Sequence, residues 1–225
     1  MSEVLVRGTD LRRTFGTSEG GVVALGGATF EVRSGERIAL VGPSGSGKST
    51  LLHLMAGLDA PTKGEIEWPG LGPRETLRPG SVAMAFQGPS LLPPLTVLEN
   101  VVLPLLLVGE SEREATRAGT TMLERFEVAD VASKLPEEIS GGQSQRAGIA
   151  RAFIGVPRLV LTDEPTGQQD SEGGNRLLRA MLSCIDEAGA ALVVATHDAS
   201  IASWMSLRWS IAGGVLDAGV ISRSG

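Results

Sequence analysis

Residues 42–50, Gly42-Pro43-Ser44-Gly45-Ser46-Gly47-Lys48-Ser49-Thr50, follow the pattern G-x-x-x-x-G-K-[ST]. The chemistry this spacing allows is anion capture. Glycines let the backbone curl without Cβ clashes, so successive N–H groups can converge on one phosphate. A helix opening at the same point adds its partial positive charge. Lys48 is suited to reach the β- and γ-phosphates of a nucleoside triphosphate, and the Ser49 hydroxyl to ligate Mg²⁺. At average composition, a chain of 225 residues matches this pattern by chance about once in a hundred.

Asp163 and Glu164 end an apolar run and are followed by Pro165. Carboxylates at the carboxyl edge of a parallel sheet face the crevice where ligands bind. There Asp163 can hold Mg²⁺, directly or through water, and Glu164 can polarise an attacking water. A plain strand terminus is the alternative, and the phosphate loop in the same chain favours the catalytic reading. His197 ends another apolar run, Ala191 to Ala195, which suggests contact with the γ-phosphate or with Glu164. His53, on the helix after the loop, reads as an ordinary helix residue. A second glycine-rich turn, Ser140-Gly141-Gly142-Gln143, precedes another helix. Its Ser-x-x-Gln spacing is also a capping box. A cap needs no glycines, and each costs about 1 kcal/mol in a helix, so close approach to a second anion is the favoured explanation.

Short apolar runs must position these residues. Arg37 to Val41 leads into Gly42, Val82 to Phe86 into Gln87, Leu159 to Leu161 toward Asp163, and Ala191 to Ala195 into Thr196. Such runs between helix-like stretches predict buried strands of a mostly parallel sheet. Leu51, Leu52, Leu54 and Met55 give the helix after the loop an apolar stripe, with Gly57 as its stop. Trp209 to Ala212, Gly213-Gly214 and Val215 to Ala218 predict a hairpin, and alternation around Ala28 to Val32 predicts an added antiparallel sheet. From about Thr96 to Gly155 the pattern turns helical, clearest over Glu112 to Phe126 and Gln143 to Ile154. The expected architecture is one α/β domain, with a core over about 1–87 and 155–225 and a helical subdomain over about 88–154.

Composition narrows the partners. The net charge is −6 and the pI near 5.1, which disfavours nucleic acid and direct binding to anionic lipid. The single cysteine, Cys184, rules out an internal disulfide. The N-terminus lacks the apolar core of a signal peptide. The greasiest window, Leu91 to Val108, carries Glu99, Asn100, Pro93, Pro94 and Pro104, so no uninterrupted spanning helix is expected.

Ile139-Ser140-Gly141-Gly142-Gln143, with Gln145-Arg146 and Ile149-Ala150-Arg151-Ala152 after it, resembles the signature sequence of ATP-binding cassette proteins. The motif order fits that family over nearly the whole chain. The resemblance implies a phosphate-loop NTPase, RecA-like core with an inserted α-helical and an antiparallel β subdomain. It implies ATP and Mg²⁺ as ligands and a head-to-tail homodimer, in which each signature closes over the ATP held by the partner's phosphate loop. Phe15 corresponds to the family's adenine-stacking aromatic, with Phe30 nearby in sequence. Gln87 corresponds to the glutamine that meets Mg²⁺ or the water, Asp170 to the aspartate reaching across the dimer, and His197 to the switch histidine. The chain departs from the pattern at Gln169, where the family usually has leucine, at Ile139, and in the short stretch from Glu67 to Pro79.

The segment from Gln87 to Leu107 resembles the cassettes of lipoprotein-release, macrolide-export and antimicrobial-peptide-export systems. There a separate ATPase drives a transmembrane permease from the cytoplasmic face of the inner membrane. Most of its apolar residues are expected in the helical core, and Pro89 to Val97 in a groove for the permease. The chain ends about 28 residues after His197, so the regulatory domain of many sugar and methionine importers is not expected, which weighs against those subtypes. A small importer ATPase, a soluble iron–sulfur assembly ATPase and an unrelated phosphate-loop kinase are the alternatives. The kinase leaves Ser140 to Gln143 without a purpose.

Overall fold

The computed structural model describes residues 2–16, 20–86, 88 and 90–219. Gln87 and Pro89, to which the sequence assigns roles, lie outside the described residues.

Among the described residues, strands β1 (Val4–Phe15), β2 (Val22–Arg33), β3 (Arg37–Val41), β4 (Lys63–Glu67), β5 (Val82–Ala85), β6 (Leu159–Asp163), β7 (Ala191–Thr196), β8 (Leu207–Ala212) and β9 (Val215–Asp217) form one sheet. Its order is β4-β1-β2-β9-β8-β3-β7-β6-β5. Neighbours from β8 through β5 all run parallel, and β1, β2 and β4 pair antiparallel. The expected antiparallel layer is therefore present but not separate. A single parallel pairing, Gly27 with Val215, joins it to the C-terminal hairpin of β8 and β9.

The helices are α1 (Lys48–Met55), α2 (Val97–Leu107), α3 (Glu112–Arg125), α4 (Gly141–Phe153), α5 (Ser171–Ala188) and the short α6 (Ala199–Ala202). All of α2, α3 and α4 fall between β5 and β6. Two apolar clusters cover the two faces of the parallel strands. Leu159, Leu161, Ala191, Val193 and Ala195 pack with Leu51, Leu52, Leu54 and Met55 of α1 on one face. Val160, Leu192 and Val194 pack on the other with Leu177, Leu178 and Met181 of α5 and with Ile149 and Phe153 of α4. Both parities are buried, which is why these strands read as continuous apolar runs rather than alternating ones. Each fully buried leucine contributes about 1.5–3 kcal/mol over an exposed one.

The apolar window at 91–108 resolves into a loop and α2. Thr96 caps α2, accepting from the Glu99 N–H while the Glu99 carboxylate accepts from the Thr96 N–H at 2.7 Å. Pro104 lies inside this helix, near its end, rather than breaking it. Asn100 is fully buried. Its Oδ1 accepts from the Leu92 N–H at 2.6 Å, and its Nδ2 donates to the carbonyls of Leu92, Leu95 and Thr96 at 3.0–3.1 Å. One amide thus folds the loop back onto the helix. No described helix is long and apolar enough to cross a membrane.

In the short stretch before β5, one helical turn spans Arg74–Thr76. Trp68 Nε1 donates to the Met55 carbonyl at 2.7 Å, and Arg74 Nε to the Gly57 carbonyl at 3.0 Å. These bonds satisfy acceptors that the end of α1 leaves open.

Candidate functional site

The carboxyl ends of β3, β6 and β7 converge on one cleft of about 520 Å³. It is lined by Ala24, residues 44–50, Asp163, Glu164 and His197. Residues 42–47 leave β3 as a tight loop and enter α1 at Lys48. Gly47 sits at φ 105°, and a Cβ there would lie 2.4 Å from the Ala24 carbonyl oxygen. Only glycine suits that combination of dihedral and space. Lys48 Nζ donates to the carbonyls of Gly42 and Pro43 at 2.8 and 3.0 Å, so its charge is held over the loop. Ser46 is buried, and its Oγ has no hydrogen-bond partner. That oxygen lies against Gly42, where an added Cβ would come within 2.8 Å of it.

Across the cleft, Ser49 Oγ donates to Asp163 Oδ2 at 2.5 Å. Among the described residues no group of three or more His, Cys, Asp or Glu gathers at a metal-sized site. One hydroxyl and one carboxylate suit Mg²⁺, which commonly takes few protein ligands and fills its octahedron with water and substrate oxygens.

Glu164 is buried and adopts φ 47°, a left-handed conformation uncommon for a non-glycine residue. Its N–H donates to the Ala195 carbonyl at 2.9 Å, which ties the turn to β7. The carboxylate is held from three directions. Oε1 accepts from the His197 N–H at 3.1 Å and meets His197 Nδ1 at 2.7 Å, while Oε2 accepts from Thr196 Oγ1 at 3.3 Å. A carboxylate accepts, so Nδ1 is the nitrogen carrying hydrogen. Of the two expected contacts for His197, the structure contains the one to Glu164. Beyond it, Asp198 caps α6, and hydrogen bonding from Ser200 holds its carboxyl below the usual aspartate range.

Other sequence-predicted residues stand apart from this cleft lining. Phe15, at the end of β1, is 45% exposed, with the Arg13 guanidinium 4.5 Å from its ring centroid. Phe30 is buried against Trp209, with ring centroids 5.4 Å apart. Phe15 is therefore the aromatic with a face to offer. Ser140 caps α4, which begins at Gly141, two residues before the expected start. Its Oγ accepts from the Gln143 N–H at 3.2 Å, and Gln143 Oε1 accepts from the Ser140 N–H at 2.9 Å, so the capping box is formed. Asp170 caps α5, accepting from the Gly173 N–H at 2.7 Å. Sequence reasoning missed Ala24, which lines the cleft only because β2 passes beside the loop. In the sequence Gln145 reads only as part of the signature, without a contact; its Nε2 donates to the Glu164 carbonyl at 3.2 Å. No local pattern signals either contact.

Comparison with known proteins agrees with this geometry. The ABC transporter family matches residues 25–167. The chain is 37% identical over 212 residues to the lipoprotein-releasing system ATP-binding protein LolD of Legionella pneumophila (strain Paris), covering 91% of this chain and 93% of that protein. It is 39% identical over 209 residues to the uncharacterized ABC transporter ATP-binding protein YbbA of Escherichia coli (strain K12), covering 90% and 92%. Among solved structures, the ATP-binding cassette MJ0796, a dimer in a post-hydrolysis state bound to ADP and Pi, matches with a TM-score of 0.88 and 32% identity over 95% of this chain and 97% of that one. With the phosphate loop, the acidic strand end and the histidine gathered in one cleft of an α/β phosphate-loop core, the chain belongs to the ABC transporter family and is an ATP-binding, ATP-hydrolysing subunit of it.

Proposed function

We propose that two copies of this chain close head to tail on two ATP molecules and that their hydrolysis drives a separate transmembrane permease. The observation that carries the reading is the convergence of Lys48, Ser49, Asp163, Glu164 and His197 on one cleft. In this reading the loop from Gly42 through Ser44, Gly45, Ser46 and Gly47 to Thr50 wraps the phosphates, and Lys48 neutralises them. Ser49 and Asp163, with Gln87, would hold Mg²⁺, which when bound offsets charge on the phosphate oxygens. Glu164 takes the proton of the attacking water, and His197 keeps that carboxylate aimed. Phe15 stacks on adenine.

The lining of the cleft comes from one side of the nucleotide only. Ser140, Gly141, Gly142, Gln143 and Asp170 are not part of it. A second copy supplies the cover in this reading, its glycine turn and Asp170 facing the partner's cleft. That the matching cassette MJ0796 is dimeric supports this.

Segment 88–154 acts as the helical subdomain of a single nucleotide-binding domain. Within the proposed docking stretch, Leu92 is exposed while Leu91 and Val97 are buried, and Phe86 just before it is exposed. Such apolar side chains suit a coupling segment of a permease at the cytoplasmic face of the inner membrane, where the chain is peripheral. The relatives named for lipoprotein release favour an export or force-transmitting permease.

The test is Glu164→Gln, which keeps the side chain's shape. It retains ATP binding, loses turnover by about 10²–10⁴-fold, and gives an ATP-dependent dimer on size exclusion. Purified from membranes with ATP, it brings the permease with it. Wild-type turnover in this variant removes Glu164 from its role.

A further inference from the structure

Gln169 replaces the leucine that the resembling family usually carries, and its amide is fully engaged. Nε2 donates to the Gly142 carbonyl at 2.9 Å and to Gln145 Oε1 at 3.2 Å, while Oε1 accepts from Arg146 Nε at 3.0 Å. Gln145 extends the connection in both directions. Its Oε1 also accepts from the Gln168 N–H at 3.2 Å, and its Nε2 reaches the Glu164 carbonyl. A continuous hydrogen-bonded path thus runs from the backbone of Glu164 to the second residue of α4.

The glycines of that turn face this same loop. A Cβ on Gly141 would lie 2.5 Å from Gln168 Oε1, and one on Gly142 would lie 3.1 Å from Gln169 Nε2 and 3.2 Å from the Gln168 carbonyl. Packing within one chain therefore crowds Gly142 against backbone, whereas the atoms near Gly141 are the end of a flexible side chain. Leucine at 169 offers neither donor nor acceptor and leaves Arg146 Nε and the Gln145 oxygen without this partner. Arg146 keeps its contact with Glu127 at 3.3 Å, so α4 stays anchored.

We propose that Gln169 is a positioning residue: with Gln145 it clasps the Ser140–Gly142 turn to the loop that follows Glu164. The part of the chain that covers the partner's nucleotide is then held in fixed register with the part that cleaves its own. This inference rests on the head-to-tail pairing proposed above. Because the clasp touches none of the phosphate-loop side chains, it governs the rate in the closed pair and not the capture of ATP by one copy.

The experiment compares wild type with Gln169→Leu, Gln145→Met and the double variant. It measures kcat, the Kd of a fluorescent ATP analogue for the monomer, and thermal unfolding. Each single variant is expected to lose about tenfold in kcat, roughly one lost hydrogen-bonded contact to a charged or buried group, at unchanged Kd. The double variant is expected to fall no further than the weaker single one, because both residues serve one path. Multiplicative losses, or a Gln169→Leu enzyme with wild-type kcat, overturn the clasp. A wild-type protein that hydrolyses ATP as a strict monomer overturns instead the pairing on which it rests.

Discussion

Replacing His197 by alanine separates the two halves of the proposed catalytic pair. The His197 side chain is 76% exposed, so its removal forfeits little packing. What it removes is the Nδ1 contact to Glu164 Oε1 at 2.7 Å. The same carboxylate keeps the backbone N–H of residue 197 at 3.1 Å and the Thr196 hydroxyl at 3.3 Å. One of three contacts is lost, and it is the shortest. A hydrogen bond to a charged group is worth about 1.5–3 kcal/mol, which corresponds to roughly 10–150-fold in rate. The expected kcat therefore falls by one to two orders of magnitude and stays above that of Glu164→Gln, whose base is gone altogether. Steady-state ATP hydrolysis by coupled assay gives kcat, and nucleotide titration of the monomer gives a Kd that does not change. Turnover within twofold of wild type would show that the backbone and Thr196 alone aim the carboxylate. A loss equal to that of Glu164→Gln would make the histidine part of the chemistry rather than its support.

Asn100→Leu tests the polar hub beneath the proposed permease face. It strands the Leu92 N–H and the Leu95 carbonyl, while the Leu92 and Thr96 carbonyls keep the backbone N–H groups of residues 95 and 100, so a loss of about 3 kcal/mol is expected. At about 2–4 °C per kcal/mol for a chain of this size, the melting temperature drops by roughly 6–12 °C, readable by calorimetry, while ATP binding by the folded protein is kept. Ser140→Arg removes the cap of α4, at about 1 kcal/mol, and fills the turn proposed to meet the partner's nucleotide. Hydrolysis stops while monomer binding of ATP persists, because Ser140 does not line the phosphate cleft. Loss of monomer binding in that variant would place the turn in its own chain's site.

The sequence alone determined what is encoded by neighbours in the chain. The phosphate loop is one run of nine residues after a short strand, and its glycines, lysine and serine act within that run. The acids at the end of β6 and the histidine after β7 were legible because apolar runs of strand length stop at them. The cap of α4 follows from a spacing of three residues, Ser140 to Gln143. Tertiary structure decided everything that joins residues far apart in the chain. It placed β3, β7 and β6 side by side, so that Thr196 and His197 grip a carboxylate more than thirty positions earlier. It buried Phe30 and left Phe15 exposed, and it made Asn100 a hub inside a stretch that reads as merely apolar. It also joined Gln169 to the second glycine turn through the Gly142 carbonyl. The reason is physical: periodicity and spacing report how a segment meets itself, whereas a side-chain contact across loops exists only once packing has brought its partners within about 3 Å.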